Sequence, residues 1–372
     1  MTFRTMAAVL LLAAISQCVA ASETVLRNLA GAARDKHGIP AIGVRERIDG
    51  RDAAATVGVR ALGDAAAATD SDLWHIGSDT KAFTATLIAR MVEAGELRFD
   101  ETLAEALPED AARMDPAYRR VTLLQLLSHT AGLPSLTSGT ELPAYMAIAS
   151  RARGVREQRA AIARHALASP PATPIGQFQY SNLGFIVAGA IAEARTGKSW
   201  EELMRERVFA PLGITHAGFG PPGSAAKVDE PRGHQPEGGK LVALAPGKDA
   251  DNPPWLGPAG TIHITLEDWM RFASDQMDGA LGHGKLLRPE TYRRLFTPVT
   301  GNYALGWGAK MDDDHIASVI THTGSNGYWL AEVRILPKQH AILLVAMNSG
   351  GEEAAAAMQE ITKAWREGLP KP

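Results

Sequence analysis

The sequence predicts an α+β fold, an α/β sandwich whose antiparallel sheet is built from both chain ends, with a largely helical domain inserted between them. Two observations lead to this prediction: β-prone stretches occupy residues 39–62 and 303–347, and the residues between them follow a helical periodicity. At 372 residues, 45% of them hydrophobic, the chain is long enough for two structural units.

The first 21 residues have the pattern of a secretory signal peptide. Arg4 precedes an apolar run from Met6 to Ile15, and small residues follow at Val19, Ala20 and Ala21. The run is about half of the roughly 20 residues that a membrane-spanning helix needs, and no transmembrane segment is predicted further along. We therefore expect a secreted or periplasmic protein after cleavage.

Cys18, the single cysteine, lies within this segment. Its removal would leave a chain without a thiol, which excludes disulfides, cysteine nucleophiles and thiolate zinc sites. Lipid attachment at Cys18 is the alternative, although Gln17 is not the small residue that usually precedes such a cysteine.

Turn and cap signals predict the first strands and the first helix. The stretches Ile39 to Ile48 and Ala53 to Leu62 flank the turn dipeptide Asp49-Gly50, which indicates a hairpin. From Thr80 to Ala94 apolar residues recur at every fourth position, and Gly95 follows as a C-terminal cap.

Residues 78–299 are predicted to form the mostly helical domain, with an irregular loop region at 218–260, which is dense in Pro and Gly. Its clearest helices are Val121 to Leu127, Arg156 to Leu167 and Leu183 to Arg195. Residues 22–77 and 300–372 would form the α/β domain, and its later elements are four strands and a final helix: Tyr303 to Lys310, Ser318 to His322, Trp329 to Leu336, Ala341 to Met347, and Glu352 to about Trp365.

Ser78 and Lys81 stand three residues apart where a strand-like stretch meets the first helix. This spacing puts the hydroxyl and the amine on one helical face, and the nearby backbone N–H groups could hold the negative oxygen of a tetrahedral intermediate. Burial would lower the pKa of Lys81, so that its amine could accept a proton. An N-cap role for Ser78 is the alternative. A second match to this spacing, Ser224 and Lys227, lies in the irregular loop with no helix to orient it.

Two other short stretches carry side chains suited to the same chemistry. Tyr180 and Asn182 precede the Leu183 helix, where a phenol could transfer a proton and an amide could bind a substrate amide. Helix capping and packing are the alternative roles. The sequence His322-Thr323-Gly324 ends a strand, where a glycine allows a peptide substrate to approach the strand edge closely.

In this order the three stretches resemble the S-x-x-K, Y-x-N and K/H-T/S-G motifs of the penicillin-recognising serine hydrolases. That family includes class C β-lactamases, D-alanyl-D-alanine carboxypeptidases and related esterases. The stretches Leu126 to Pro134, Gly257 to Gly260 and Tyr303 to Gly308 are also similar to it, so the resemblance covers nearly all of the chain after residue 21. It implies a β-lactamase/transpeptidase-like fold, in which terminal helices flank the antiparallel sheet.

The resemblance also implies a role for each motif residue. Ser78 would be the nucleophile, and Lys81 and Tyr180 the acid/base pair, with the identity of the general base left open. The backbone N–H groups of Ser78 and Ser325 would form the oxyanion hole. Four residues would bind substrate: Asn182, His322, Thr323 and Gly324. Of these, His322 and Thr323 would face the carboxylate side of the substrate.

His322 departs from the lysine that is usual at this place in class C β-lactamases. Histidine is a weaker cation with a reference pKa near 6.5, so a β-lactam carboxylate should be bound less well at neutral pH. We therefore expect a serine hydrolase of D-amino-acid peptides or carboxylic esters. The alternatives are a class C-type β-lactamase and a non-enzymatic penicillin-binding sensor or inactive binding module. The non-enzymatic alternative is disfavoured because Ser78, Lys81 and Tyr180 are all present.

Other ligand classes are not expected. A net charge of -3, from 38 Lys and Arg against 41 Asp and Glu, gives no field that attracts nucleic acid. The sequence lacks the G-x-S-x-G, H-E-x-x-H and P-loop motifs, and its 11 histidines show no close pair with metal-ligand spacing. We predict no cofactor and no metal, and a small-molecule or peptide acyl substrate. The sequence does not indicate an oligomeric state.

Overall fold

The structure, a computed structural model, describes residues 22–137 and 140–369, so the predicted signal segment lies outside the described residues. The strands are Ala41–Ile48 (β1), Arg51–Gly58 (β2), Leu73–His75 (β3), Ala217–Phe219 (β4), His234–Glu237 (β5), Lys240–Ala243 (β6), Ile262–Thr265 (β7), Gly308–Met311 (β8), Ala317–Ser325 (β9), Leu330–Leu336 (β10) and Ala341–Met347 (β11).

The α-helices are residues 22–37 (α1), Thr80–Glu93 (α2), Leu103–Ala106 (α3), Leu123–Leu127 (α4), Leu142–Ala149 (α5), Val155–Ala168 (α6), Asn182–Thr196 (α7), Trp200–Met204 (α8), Ala210–Leu212 (α9), Gly257–Gly260 (α10), Leu266–Ala280 (α11), Pro289–Phe296 (α12) and Glu352–Gly368 (α13). Within the described residues, no helix is both long enough and apolar enough to cross a membrane.

The main sheet has six antiparallel strands in the order β2-β1-β11-β10-β9-β8. Strand β1 pairs directly with β11, so that Ile42 lies opposite Met347 and the two ends of the chain meet at the centre of the sheet. Every residue of β11 is buried, as its unbroken apolar sequence requires for a strand covered on both faces. This arrangement confirms the predicted fold class.

Helices cover both faces of this sheet. Alternate residues of β11 point to opposite sides: Leu343 and Val345 pack with α1 and α13, whereas Ile342 and Leu344 join the larger core on the other face. Helix α11 packs against β1 and β11 on that second face. The division into an α/β and a helical domain stays a prediction, and α11 falls within the part that we assigned to the helical domain.

The candidate nucleophile lies between a strand and a central helix. Strand β3 belongs to a small sheet of order β3-β7-β4, and a 3₁₀ turn, Gly77–Asp79, leads from it into α2. Nearly every side chain of α2 is buried, Lys81 among them. The turn that contains Ser78 is therefore held at one end by a paired strand and at the other by a buried helix.

The helix predicted at Thr80 to Ala94 and the final helix are confirmed, and the hairpin lies at β1 and β2. The prediction of an irregular loop over 218–260 is wrong in part, because β5 and β6 form a hairpin there and α10 closes the segment. The hairpin turns at Gly238 and Gly239, both with positive φ, but strands of four residues are too short to show a period. The strand predicted from Tyr303 begins only at Gly308, after a turn at Gly306 with a φ of 71°.

Candidate active site

Two glycines bring the Ser78 turn against β9. A Cβ atom on Gly324 would lie 2.0 Å from the Ile76 carbonyl oxygen and 2.5 Å from the Ser78 nitrogen, and one on Gly77 would lie 2.4 Å from the Ser325 nitrogen. Gly77 also has a φ of 49°. The backbone N–H groups predicted to form an oxyanion hole therefore belong to two segments in direct contact. Gly77 was missed in the sequence, although a glycine between a strand and a helix is a recognisable signal.

Lys81 is fully buried beside the Ser78 hydroxyl. Its Nζ atom lies 3.0 Å from Ser78 Oγ, 2.7 Å from Asn182 Oδ1 and 2.7 Å from the Ala259 carbonyl oxygen. Burial lowers the pKa of Lys81 well below its ordinary value, and the charge of Asp79 only partly opposes this. A neutral amine would donate to Asn182 and Ala259 and keep its lone pair for the Ser78 hydroxyl.

Tyr180 contacts Ser78 from the other side. Its hydroxyl hydrogen-bonds with the Ser78 side chain, and its ring centroid lies 4.9 Å from Lys81 Nζ. Burial raises the pKa of Tyr180 by more than the Ser78 hydrogen bond lowers it. The tyrosine is therefore a protonated phenol at neutral pH, whereas the lysine is pushed towards its neutral form.

Asn182 is the first residue of α7, and Ser181 caps this helix by accepting the Gly184 N–H. The Asn182 amide nitrogen donates to the Leu136 carbonyl oxygen at 2.8 Å, while its oxygen receives Lys81. Both ends of the amide are engaged by the protein. The structure thus brings Asn182 to the site, in contact with Lys81. Binding of a substrate amide by Asn182 stays a prediction.

The third motif reaches the site mainly through its backbone. The His322 ring is buried, with Nε2 3.3 Å from the Tyr303 hydroxyl and Nδ1 3.8 Å from Asp79 Oδ1. Burial, reinforced by the charge of Lys81, lowers the pKa of His322 to about 3, so this ring is neutral at pH 7. The Thr323 hydroxyl lies 3.5 Å from Glu332. Binding of a carboxylate by these two side chains stays a prediction.

A cleft of about 430 Å³ opens over Ser78. None of the described side chains that line it is charged: Ser78, Leu136, Thr137, Leu142, Tyr180, Asn182, Asn252, Leu256, Ala259, Gly260, Ser325, Asn326 and Gly327. Elsewhere in residues 22–137 and 140–369, no group of three or more His, Cys, Asp or Glu side chains is placed to bind a metal ion.

A hydrogen-bonded set of polar side chains, His75, Asp251 and Asn326, lies next to the Ser78 turn. The Gly77 N–H donates to His75 Nδ1 at 3.1 Å, which places the ring hydrogen on Nε2, 2.9 Å from Asp251 Oδ1. The same Asp251 oxygen accepts from Asn326 Nδ2 at 2.8 Å. Sequence reasoning missed these residues, because no motif or period connects positions so far apart.

A family model described as Beta-lactamase matches residues 26–364. This chain belongs to the β-lactamase family. The resemblance seen in the sequence is thereby confirmed. This family member is 30% identical to penicillin-binding protein 4 of Amycolatopsis lactamdurans over 86% of its own length and 83% of that protein.

Solved structures share the fold of this β-lactamase-family chain. The octameric penicillin-binding protein homologue from Pyrococcus abyssi has a TM-score of 0.74 at 22% identity, covering 93% of this chain and 77% of that one. The D-amino acid amidase from Ochrobactrum anthropi SV3 has a TM-score of 0.72 at 19% identity, covering 92% and 99%. Both comparisons support the β-lactamase/transpeptidase-like architecture.

Proposed function

We propose that this protein is a serine acyl hydrolase that cleaves D-amino-acid peptides or amides, or carboxylic esters, through a covalent acyl-enzyme on Ser78. The observation that carries the proposal is the position of Ser78 Oγ, 3.0 Å from the buried Lys81 amine and hydrogen-bonded with Tyr180. A nucleophile between a base of lowered pKa and an acid of raised pKa is suited to acyl transfer.

In the first half-reaction the Ser78 oxygen forms a bond to the acyl carbon while its proton passes to Lys81 Nζ. The carbonyl oxygen becomes an oxyanion that the N–H groups of Ser78 and Ser325 would hold. The tetrahedral intermediate collapses when the bond to the leaving nitrogen or oxygen breaks. Tyr180 supplies the proton to the leaving group and recovers one from Lys81.

In the second half-reaction a water molecule attacks the ester that joins the acyl group to Ser78. Its proton passes to the Tyr180 and Lys81 pair, and the bond between the acyl carbon and Ser78 Oγ breaks. The serine oxygen then takes the proton back, so the free acid leaves and the starting state returns.

The charge distribution favours substrates without a carboxylate next to the scissile bond. The described lining of the cleft carries no charged side chain, and the neutral His322 ring offers no cation. The names of two proteins of the same fold, a D-amino acid amidase and a D-stereospecific amidohydrolase, point to the same class of substrate. A substrate carboxylate here would lose hydration without gaining an ionic partner.

A matched pair of substrates tests this preference. We expect acetyl-D-alanyl-D-alaninamide to be hydrolysed with a kcat/KM on the order of tenfold higher than that of acetyl-D-alanyl-D-alanine, which differs only by its terminal carboxylate. Equal rates, or a preference for the free acid, would contradict the proposed substrate class.

Ser78→Ala tests the mechanism itself. We expect kcat to fall by about four orders of magnitude or more on any substrate, with the free energy of unfolding unchanged. The matched control is Ser224→Ala, which removes the hydroxyl of the second S-x-x-K match and should leave the rate unchanged. Activity that survives Ser78→Ala would exclude this serine as the nucleophile.

Benzylpenicillin separates the remaining alternatives in an intact-mass time course. A lasting adduct that is absent in Ser78→Ala indicates a penicillin-binding enzyme with slow deacylation. Drug that gains a water molecule without a lasting adduct indicates the class C-type β-lactamase alternative. If neither amide nor ester turns over while the adduct persists, the penicillin-binding sensor replaces the proposed hydrolase.

We also propose export after cleavage near residue 21, on the strength of the sequence pattern alone. N-terminal sequencing of protein recovered from the periplasm of a Gram-negative host should find a start close to residue 22. A full-length cytoplasmic product would contradict the proposal, and a lipid on Cys18 would support the lipoprotein alternative.

A further inference from the structure

Three ring side chains beneath the cleft form a hydrogen-bonded row that the proposed reaction does not use. His129 follows α4, Tyr303 precedes β8, and His322 lies on β9. The Tyr303 hydroxyl lies 3.1 Å from His129 Nε2 and 3.3 Å from His322 Nε2. Both histidines are buried, so the row is held inside the protein.

A backbone group sets the direction of the first bond in this row. The Ser181 N–H can only donate, and it donates to His129 Nδ1 at 3.0 Å. Burial lowers the pKa of His129 well below its ordinary value, so the ring is neutral and carries its hydrogen on Nε2, which donates to the Tyr303 oxygen. The Tyr303 oxygen keeps its own hydrogen, and we assign that hydrogen to the bond with His322 Nε2. The neutral His322 ring must therefore carry its hydrogen on Nδ1, which points towards Asp79.

The row connects two of the three catalytic stretches. His129 receives the N–H of Ser181, the residue between Tyr180 and Asn182, and its ring centroid lies 4.3 Å from that of Tyr180. At its other end, His322 is part of β9, which contacts the Ser78 turn through Gly324. Displacement of any member would shift the Tyr180 stretch relative to β9.

We infer that His129 and Tyr303 are positioning residues that hold His322 as a neutral ring with its hydrogen on Nδ1 and fix β9 against the Tyr180 stretch. His322 is then the end of a structural hydrogen-bond row and not a cation for a substrate carboxylate. The inference rests on the proposed function only for its kinetic readout.

The titratable groups around His322 agree with this assignment. Lys81 and Asp79 face it from α2 and the Ser78 turn, and Tyr303 faces it from the segment before β8. The Asp79 carboxyl is fully buried with neither oxygen hydrogen-bonded, and burial raises its pKa well above the ordinary value. At 3.8 Å from His322 Nδ1, this carboxyl makes no hydrogen bond that would favour a protonated ring.

Nitrogen NMR of ¹⁵N-labelled histidine in the full protein tests the inference without reference to activity, with the His322 signals identified by their loss in His322→Gln. At pH 7 we expect a hydrogen on Nδ1 and none on Nε2. Tyr303→Phe keeps the ring but removes the hydroxyl that donates to the neutral form, so the pKa of His322 should rise by about one unit.

Tyr292→Phe is the matched control. Its hydroxyl is also buried and hydrogen-bonded, donating to Asp275 at 2.5 Å and accepting from the Leu286 N–H at 3.1 Å. It should lower the free energy of unfolding and leave the His322 titration unchanged. A hydrogen on His322 Nε2, or an unchanged titration in Tyr303→Phe, would overturn the inference.

Steady-state kinetics give the second readout. On the amide substrate we expect Tyr303→Phe to lower kcat by about tenfold while KM stays within a factor of two. The Tyr180 hydroxyl loses its alignment with Ser78, whereas Tyr303 itself is not among the described residues that line the cleft. A change confined to KM would overturn the positioning role. If the wild-type protein cleaves no amide or ester while the NMR result stands, the proposed function is wrong. The assignment of hydrogens in the row of His129, Tyr303 and His322 would still hold.

Discussion

The position of the proposed nucleophile, Ser78, depends on two glycines, which have no side chain. Ser78 lies in a turn whose backbone touches β9, and the contact exists only because glycine occupies positions 77 and 324. Catalysis of acyl transfer depends on donors held within a few tenths of an ångström of the developing oxyanion. The rate should therefore be sensitive to the smallest possible addition at these positions.

Gly324→Ala tests this sensitivity. The new Cβ would come within 2.0 to 2.7 Å of backbone atoms of Ile76, Ser78 and Asp79, none of which can move as a flexible side chain would. We expect a loss of about a hundredfold or more in kcat/KM and about 1 to 3 kcal/mol in the free energy of unfolding, measured by ester hydrolysis and urea titration.

Gly31→Ala is the control, since Gly31 lies in α1 with open space around its Cβ position. It should leave activity unchanged and raise the free energy of unfolding by roughly 0.5 to 1 kcal/mol. Equal activity in the two variants would show that the close backbone contact is not needed for the reaction.

The sequence predicted the site residues whose chemistry is local. Ser78 and Lys81 are one helical turn apart, and Tyr180 and Asn182 frame a helix start, so their types and spacing were informative. Asn252 and Asn326 line the same cleft but were not predicted, because only tertiary packing brings them there. The burial of the His322 ring could not be predicted either, since a strand register decides which side chain faces inward.

At the scale of secondary-structure elements, one buried arginine joins the helices that hold Lys81. Arg159 on α6 pairs with Glu193 at 2.5 Å and with Glu201, and it donates to the carbonyl oxygens of Pro254 at 3.0 Å and Trp255 at 3.2 Å. The segment so held leads into α10, whose Ala259 carbonyl oxygen receives Lys81.

Arg159→Met should therefore disturb both stability and catalysis. We expect the free energy of unfolding to fall by about 3 to 5 kcal/mol, because the buried Glu193 loses its ionic partner while its hydrogen bond from the Trp200 N–H stays. The double variant with Glu193→Gln should recover part of the loss. Lys198→Met removes an exposed ion pair with Glu206 and should lose less than about 1 kcal/mol in the same urea titration. Equal losses in the two single variants would contradict the role assigned to Arg159.

Elements with long periodic patterns were the predictable ones. Helix α2 and strand β11 follow their apolar residues closely, because both elements are buried almost throughout. The short strands β4, β5 and β6 were not predicted, since their pairing partners stabilise them more than their own residues do.

At the scale of the whole molecule, the folded state keeps histidine rings neutral in several places. Burial lowers the pKa of His263 to about 4, and its Nδ1 lies 2.8 Å from the Gly220 carbonyl oxygen. In the unfolded chain the pKa is near 6.5, so the unfolded state binds this proton first as the pH falls. The stabilisation is complete above pH 6.5 and is lost between pH 6.5 and about 4.

His263→Asn removes this titration and keeps an N–H near Gly220. Between pH 7 and pH 5 we expect the variant to lose about 1 to 2 kcal/mol less of its free energy of unfolding than the wild type does. The exposed His283→Asn is the control and should follow the wild type. Parallel pH curves for His263→Asn and the wild type would exclude His263 as a source of acid lability.

The order of strands in the main sheet affects when the sheet can form during synthesis. Strands β1 and β2 are the first to be synthesised, but β1 pairs with β11, which is almost the last. Closing a loop that contains most of the chain is slow, and the open edge of β1 stays exposed until it is done. Only when the final strands arrive can β9 meet the Ser78 turn. We therefore expect a chain that stops before β9 to be inactive, because it lacks the strand that contacts the Ser78 turn.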